Sequence, residues 1–353
     1  MVDSKKVLFL TLLFPMMLAV AFFIYIIRWE YDGYFRTIAF SRNGDKILTL
    51  ESGVEILLWD VNTGQEIRVM KKPYHGGAAD HISFSPDGHK AVTGGTDGII
   101  VWDIETGKMT HLFEDSCPTL SLISGPCVDF SPDGRYILSG ESEDRLIIWN
   151  AEDYTKARIF VNDDTVTETA SGKNVRCVKF SPNGRFALTA GDRLILWNVE
   201  TGKISRIFHG HKATIVSAAI SNDNRFVVSG SLDQSLKIWS MESGEEINSM
   251  HVDHFPQTIA FDPAGRYALT GDPRGSLDLW DMKKGIFLFS LQSTEGKGVL
   301  SIAVSPDGRR VAAGLNGRLK LWDITTGKEI LTFRRKPSFF LMAQSIVWKY
   351  VKI

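Results

Sequence analysis

His251-Val252-Asp253-His254 is the one short run in which two imidazoles and a carboxylate stand close enough to share a metal ion, and His209 and His211 flank Gly210 in a second pair. Neither is extended by further ligands at a metal-motif spacing. An exposed polar loop accounts for the first run, so no metal is assigned. Thr106-Gly107-Lys108, Thr201-Gly202-Lys203 and Thr326-Gly327-Lys328 look like the end of a phosphate loop, but a tryptophan stands five residues before each glycine where that loop needs a glycine. No cofactor follows from them. Nucleophilic elbows, zincin helices, dinucleotide glycine runs and calcium loops are all missing from the sequence. No catalytic residue is assigned, and the chain reads as a binding protein without enzyme activity.

Composition narrows the partners. With 40 Lys and Arg against 41 Asp and Glu, the net charge is -1, so no global basic field would hold the chain on nucleic acid. The three cysteines, Cys117, Cys127 and Cys177, are too few for a disulfide framework. Cys127 and Cys177 hold one repeat position, where other copies have Thr37, Thr258 and Ser301, so they read as small packing residues and not as nucleophiles.

The first thirty residues differ from the rest. Residues 7–27 carry no charge and only Thr11 as a polar side chain. At about 1.5 Å per residue, such a helix spans a ~30 Å hydrocarbon core. A transmembrane signal-anchor is expected at 7–27, after a short tail at 1–6 and before a linker at 28–34. Lys5 and Lys6 directly before the span favour a cytoplasmic N-terminus and an exported remainder, on the periplasmic or extracytoplasmic side, although Arg28 and Arg36 nearly balance them. Ala19-Val20-Ala21 leaves a cleaved signal peptide as the rival, at the cost of an apolar end at Phe22–Ile27.

From residue 35 the chain repeats itself. Tryptophans 59, 102, 149, 197, 239, 280 and 322 are 43, 47, 48, 42, 41 and 42 residues apart, a period that marks propeller blades. Each ends an apolar strand, as in Ser235-Leu236-Lys237-Ile238-Trp239. Ser85-Pro86-Asp87-Gly88 recurs at 131–134 and 305–308 and, with asparagine third, at 181–184; Pro presets the first turn angle and Gly takes positive φ. A second turn follows most of the tryptophans, as in Glu105-Thr106-Gly107, and a third lies between, which makes four antiparallel strands per unit.

Phe84-Ser85-Pro86-Asp87-Gly88 through Thr93-Gly94-Gly95-Thr96-Asp97 to Val101-Trp102-Asp103 resembles the WD-repeat, and the resemblance covers residues 35–333. It implies an all-β, seven-bladed propeller of four-stranded blades around a central channel. It also implies a structural tetrad of histidine, Ser or Thr, aspartate and tryptophan, matched by His211, Ser229, Asp233 and Trp239 in blade 5 and by His75, Thr93, Asp97 and Trp102 in blade 2. Blade 3 has Ser121 where the histidine would stand. The first and seventh repeats each hold all four strands, so closure falls to an additional strand from either the tail at 338–353 or the segment at 29–34. The tail at 334–353 is left as a rim-packed strand or an amphipathic helix.

Members of the family mostly bind proteins, through the face that carries the blade-to-blade connections and middle turns. Two of these connections are long: from tryptophan to the next first strand takes 28 residues at Trp102 to Phe130 and 31 at Trp149 to Phe180, against 22 to 25 elsewhere. Glu114, Asp115, Glu141, Glu143, Asp144, Asp163, Asp164 and Glu168 gather in these insertions and the adjoining blade 3 turn. They are expected to form an acidic lip for a basic segment of a partner protein. A solvated charged surface is the plainer account of the same residues. A membrane-tethered scaffold is the leading reading; an exported enzyme or small-ligand binder using the central channel is the alternative.

Overall fold

The computed structural model describes residues 35–51, 55–72, 79–113, 127–140, 145–160, 175–291, 298–315 and 317–335. Its 28 strands form seven separate four-stranded sheets, each a meander in sequence order. Blade 1 is β1 (Phe35–Phe40), β2 (Lys46–Glu51), β3 (Glu55–Asp60) and β4 (Glu66–Lys71). Blade 7 is β25 (Val299–Val304), β26 (Arg310–Leu315), β27 (Arg318–Asp323) and β28 (Glu329–Thr332). The first strands of neighbouring blades pack side by side all the way round, and β1 lies against β25. The all-β, seven-bladed fold class therefore holds. No helix among the described residues is long and apolar enough to cross a membrane, and the expected span at 7–27 lies outside them.

Third strands such as Glu-Ile-Leu-Leu-Trp-Asp and Gly-Ile-Ile-Val-Trp-Asp are apolar on both faces because neighbouring blades cover both. In every blade the fourth strand carries a bulge opposite the residue before the tryptophan, as at Leu58/Trp59 and Ile238/Trp239. The extra residue is pushed outward, which is why Ile67, Ile247 and Ile330 are exposed. The indole turns inward and donates to a hydroxyl on the second strand: Trp59 to Thr49 (2.8 Å), Trp102 to Thr93 (2.9 Å), Trp149 to Ser139 (2.9 Å), Trp197 to Thr189 (3.0 Å), Trp239 to Ser229 (2.8 Å) and Trp280 to Thr270 (2.8 Å). Blade 7 departs from this, with Ala313 at the hydroxyl position opposite Lys320.

In four blades the tryptophan also meets an aromatic ring at the end of the preceding blade. Phe113 lies 4.7 Å from Trp149, Phe160 5.9 Å from Trp197 and Phe208 5.6 Å from Trp239, ring centre to ring centre. Phe333 at the end of blade 7 repeats the contact on Trp59 of blade 1 at 5.7 Å. The Arg334 amide then donates to the Gly64 carbonyl (3.0 Å), and the Arg335 guanidinium reaches Glu51 (2.6 Å), Glu55 and Glu66 (3.5 Å). Blades 1 and 7 each hold four strands of their own, and these contacts close the ring.

The turns on one face are as uniform as the strands. In Ser85-Pro86-Asp87-Gly88 the serine hydroxyl donates to Asp87 (2.5 Å) and accepts from the Lys90 amide (2.8 Å), and Gly88 sits at φ 75°. Blade 6 substitutes Asp262, whose Oδ1 accepts from the Arg266 (2.6 Å) and Tyr267 (2.7 Å) amides. The threonine-glycine-lysine segments are the turns between third and fourth strands, where Asp103 accepts from the amide (2.6 Å) and hydroxyl (2.7 Å) of Thr106. Their glycines serve a left-handed turn position, as at Gly107 with φ 72°, which explains them without a phosphate.

Candidate interaction face and central channel

The four residues of the blade 5 tetrad come from three places: the connection entering the blade, β18 (Phe226–Ser231) and β19 (Ser235–Ser240) with the turn between them. The chain of bonds runs from Trp239 Nε1 to Ser229 Oγ (2.8 Å), from Ser229 Oγ to His211 Nε2 (2.7 Å), and from His211 Nδ1 to Asp233 Oδ2 (3.0 Å). Since the serine oxygen already accepts from the indole, its proton goes to Nε2, and the neutral imidazole donates from Nδ1 to the carboxylate. Burial lowers the His211 pKa, in keeping with that neutral form. Burial works against the Asp233 carboxylate, but bonds from Ser235, the Lys212 amide and His211 hold its pKa down to about 2. Every polar atom of the chain is occupied by another, which is a structural use of these residues.

In blade 2 the structure brings Trp102 and Thr93 together (2.9 Å), and Asp97 pairs with Lys72 at 2.6 Å. His75 lies outside the described residues, as do all eight residues of the acidic lip: Glu114, Asp115, Glu141, Glu143, Asp144, Asp163, Asp164 and Glu168. His251 ends β20 (Glu246–His251), paired with Ser235, and only Asp253 and His254 lie in the connection from blade 5 to blade 6. Among the described residues no three His, Cys, Asp or Glu side chains group as a metal site.

The first strands line a central channel of about 440 Å³. Register along these strands places Thr37, His81, Cys127, Cys177, Ser217, Thr258 and Ser301 at one level, each opposite the same second-strand position. Cys127 Sγ lies 3.2 Å from His81 Nε2, a juxtaposition across blades that spacing along the chain does not reveal. Desolvation pushes His81 down to about 4, with Lys179 adding to the effect against Asp80, and it pushes the Cys127 thiol up. The pair is therefore a neutral thiol beside a neutral imidazole, the opposite of an activated nucleophile. Charge in the channel gathers on blades 1 to 4: Arg36 pairs with Asp80 (2.6 Å), and Lys179 approaches Asp129 (3.7 Å), which also accepts from Ser83 (3.0 Å) and the Phe180 amide (3.0 Å).

Five stretches of the chain match the WD domain, G-beta repeat: residues 68–103, 123–150, 165–197, 202–240 and 285–323. With seven blades in a closed ring, the chain is a WD-repeat β-propeller. It is 28% identical over 215 residues to rat apoptotic protease-activating factor 1, covering 58% of this chain but only 16% of that protein. It is 26% identical to WD repeat-containing protein 82 of Drosophila melanogaster, covering 67% of this chain and 73% of the relative. To the guanine nucleotide-binding protein subunit beta of Arabidopsis thaliana it is 27% identical, covering 73% and 71%.

Two outcomes test these networks. Asp233→Ala removes the acceptor shared by His211 Nδ1, the Lys212 amide and the amide and hydroxyl of Ser235, and is expected to cost about 1–3 kcal/mol in denaturant unfolding; an unchanged midpoint would show that the chain of bonds is not buried. The depressed values of His81, His211 and Asp233 also predict acid sensitivity. Groups whose pKa is lower folded than unfolded stabilise the fold above the unfolded value and lose that contribution as pH falls toward the folded one. The urea midpoint should hold above pH ~7, decline from about 6.5 toward 4 through the histidines, and fall further toward 2 through Asp233. A midpoint constant from pH 7 to 4 would contradict it.

Proposed function

We propose that the chain is a membrane-tethered scaffold that binds other proteins on the face carrying its blade-to-blade connections and middle turns. One observation carries the reading. The turns of the opposite face repeat nearly unchanged, whereas the connections on this face vary in length and charge, as expected where a rigid frame presents a variable surface. The relatives fit it: one is named as a subunit, which implies work within an assembly. The tetrad side chains are consumed by structure and the channel thiol is held neutral, which favours binding over catalysis.

The acidic lip over blades 2 to 4 would attract a basic partner segment, acting on encounter rate and selectivity more than on affinity. Residues 7–27 would tether the propeller, with Lys5 and Lys6 keeping the N-terminus in the cytoplasm and the propeller exported. A channel-based ligand binder is the second reading, favoured by the one-sided charge of Arg36, Asp80, Arg176 and Lys179.

Crosslinked membranes provide the test. Reversing Asp163, Asp164 and Glu168 to lysine should leave the fold intact and remove partners recovered with the wild-type chain; an unchanged set of partners would refute the lip. Protease added to intact cells should digest the propeller if it is exported. A protected propeller would place it on the cytoplasmic side.

A further inference from the structure

Blades 5 and 6 align residue for residue at an offset of 41 from Ser217 and Thr258 through Trp239 and Trp280, which allows a position-by-position comparison. Blade 6 is β21 (Thr258–Phe261), β22 (Tyr267–Gly271), β23 (Leu277–Asp281) and β24 (Ile286–Ser290). Its Trp280 keeps the hydroxyl bond, to Thr270 at 2.8 Å. Around that bond everything has changed. His211 corresponds to Val252, which packs on the apolar cluster between the blades, and Asp233 to the exposed Arg274. Lys237 becomes Asp278, and Glu246, opposite the tryptophan across the bulge, becomes Phe287. The counterparts of the tetrad's surroundings now line an open cleft of about 760 Å³. Trp280 is 7% exposed, more than any of the other six blade tryptophans.

What belongs in that cleft is shown by the other blades. In blade 5 the Lys237 ammonium lies 5.9 Å from the Trp239 ring centre, 2.7 Å from Glu246 and 3.0 Å from Ser249. Blade 7 pairs Lys320 with Glu329 at 2.8 Å, and blade 3 holds Lys156 5.2 Å over Trp149. Blade 1 has Leu57 in place of the lysine, and its Glu66 is reached by Arg335. Blades 2 and 4 fill the same two positions with apolar residues, Ile100 and Met109, and Ile195 and Ile204. Wherever a carboxylate stands at this joint, a cation of the chain itself meets it, except in blade 6. There Ser276 and Ser290 both donate to Asp278 Oδ1, and Oδ2 receives no hydrogen bond among the described residues. Arg274, the one arginine or lysine in the lining, forms no ion pair among the described residues, while Asp253 and Asp272 add negative charge.

We infer that the blade 6 cleft is a receptor for a cationic side chain, the ammonium of a lysine or the guanidinium of an arginine presented by a partner protein. The cation would take the place that Lys237 takes in blade 5, with Trp280 and Phe287 offering ring faces and Asp278 the counter-charge. The two rings stand edge to face, 5.5 Å apart at 71°. The cleft opens among the 5-to-6 connection and the middle turn of blade 6, so it belongs to the proposed interaction face. That the cation comes from a protein rests on the scaffold reading; the affinity for cations does not.

The test is ¹⁹F NMR of the full chain carrying 5-fluorotryptophan, with the Trp280 signal assigned by Trp280→Phe. Butylammonium and butylguanidinium are the probes, and pentanol is the neutral control. Both cations should shift the Trp280 signal saturably while pentanol leaves it in place, and Asp278→Asn should weaken binding at least tenfold. The double variant Asp278→Lys with Phe287→Glu, which installs the lysine-glutamate pair of blade 5, should stay folded and lose cation binding. An equal response to pentanol, wild-type affinity in Asp278→Asn, or no saturable shift with either cation would overturn the inference. A wild-type chain that binds both cations but recovers no protein after crosslinking would uphold the cleft and overturn only the scaffold reading.

Discussion

The fold depends on one joint, the tryptophan that ties each blade both to itself and to the blade before it. Its indole N–H is satisfied by a hydroxyl of the same sheet in six blades, and in four its ring meets a phenylalanine at the end of the preceding blade. Burying a side chain of that size removes roughly 150–250 Å² from water, about 4–6 kcal/mol per joint. The bulge on the fourth strand makes the joint possible by turning the indole out of the regular pleat. Because each joint reaches backwards, the first blade must find the last, and Phe333 on Trp59 completes the set.

Around this constant the blades are free to differ. Blade 5 covers its joint with a fully connected polar chain, whereas blades 2 and 4 place apolar residues at the bulge positions beside it. Blade 1 lacks the local lysine and is met by an arginine from beyond blade 7, so the charge pair that stiffens one blade elsewhere here joins the two ends of the ring. Blade 6 keeps the indole-hydroxyl bond, drops the polar chain and pairs apolar Phe287 with acidic Asp278 at the two positions beside it, leaving an aromatic and acidic recess. A repeat whose tryptophan keeps its hydroxyl bond can lose the surrounding polar residues without losing the blade.

The blade count was legible in the sequence because a joint of this kind demands a tryptophan at every period, and the turns demand glycine where φ is positive. Blade 5 was legible for the same reason, as the offsets of His211, Ser229 and Asp233 are fixed by strand length. What the sequence did not reveal depends on neighbours across blades. Cys127 meets His81 from 46 residues away, and Arg335 meets Glu51 from 284 residues away. The exchange of Asp278 and Phe287 for Lys237 and Glu246 has meaning only once the bulge sets which residues face each other. Asp97 in blade 2 pairs with Lys72, a partner that the family pattern does not supply.

Closure of the ring at seven blades is the claim on which the rest stands, and it is tested most directly between its two ends. Gln65 and Arg334 form a bridge from blade 1 to the segment after blade 7, which puts their backbones within disulfide reach. In a Gln65→Cys, Arg334→Cys chain freed of its native thiols, mild oxidation should form an internal disulfide in the folded monomer and raise its thermal stability. Thiols that stay free in the folded protein, or that link only between molecules, would contradict the closed ring.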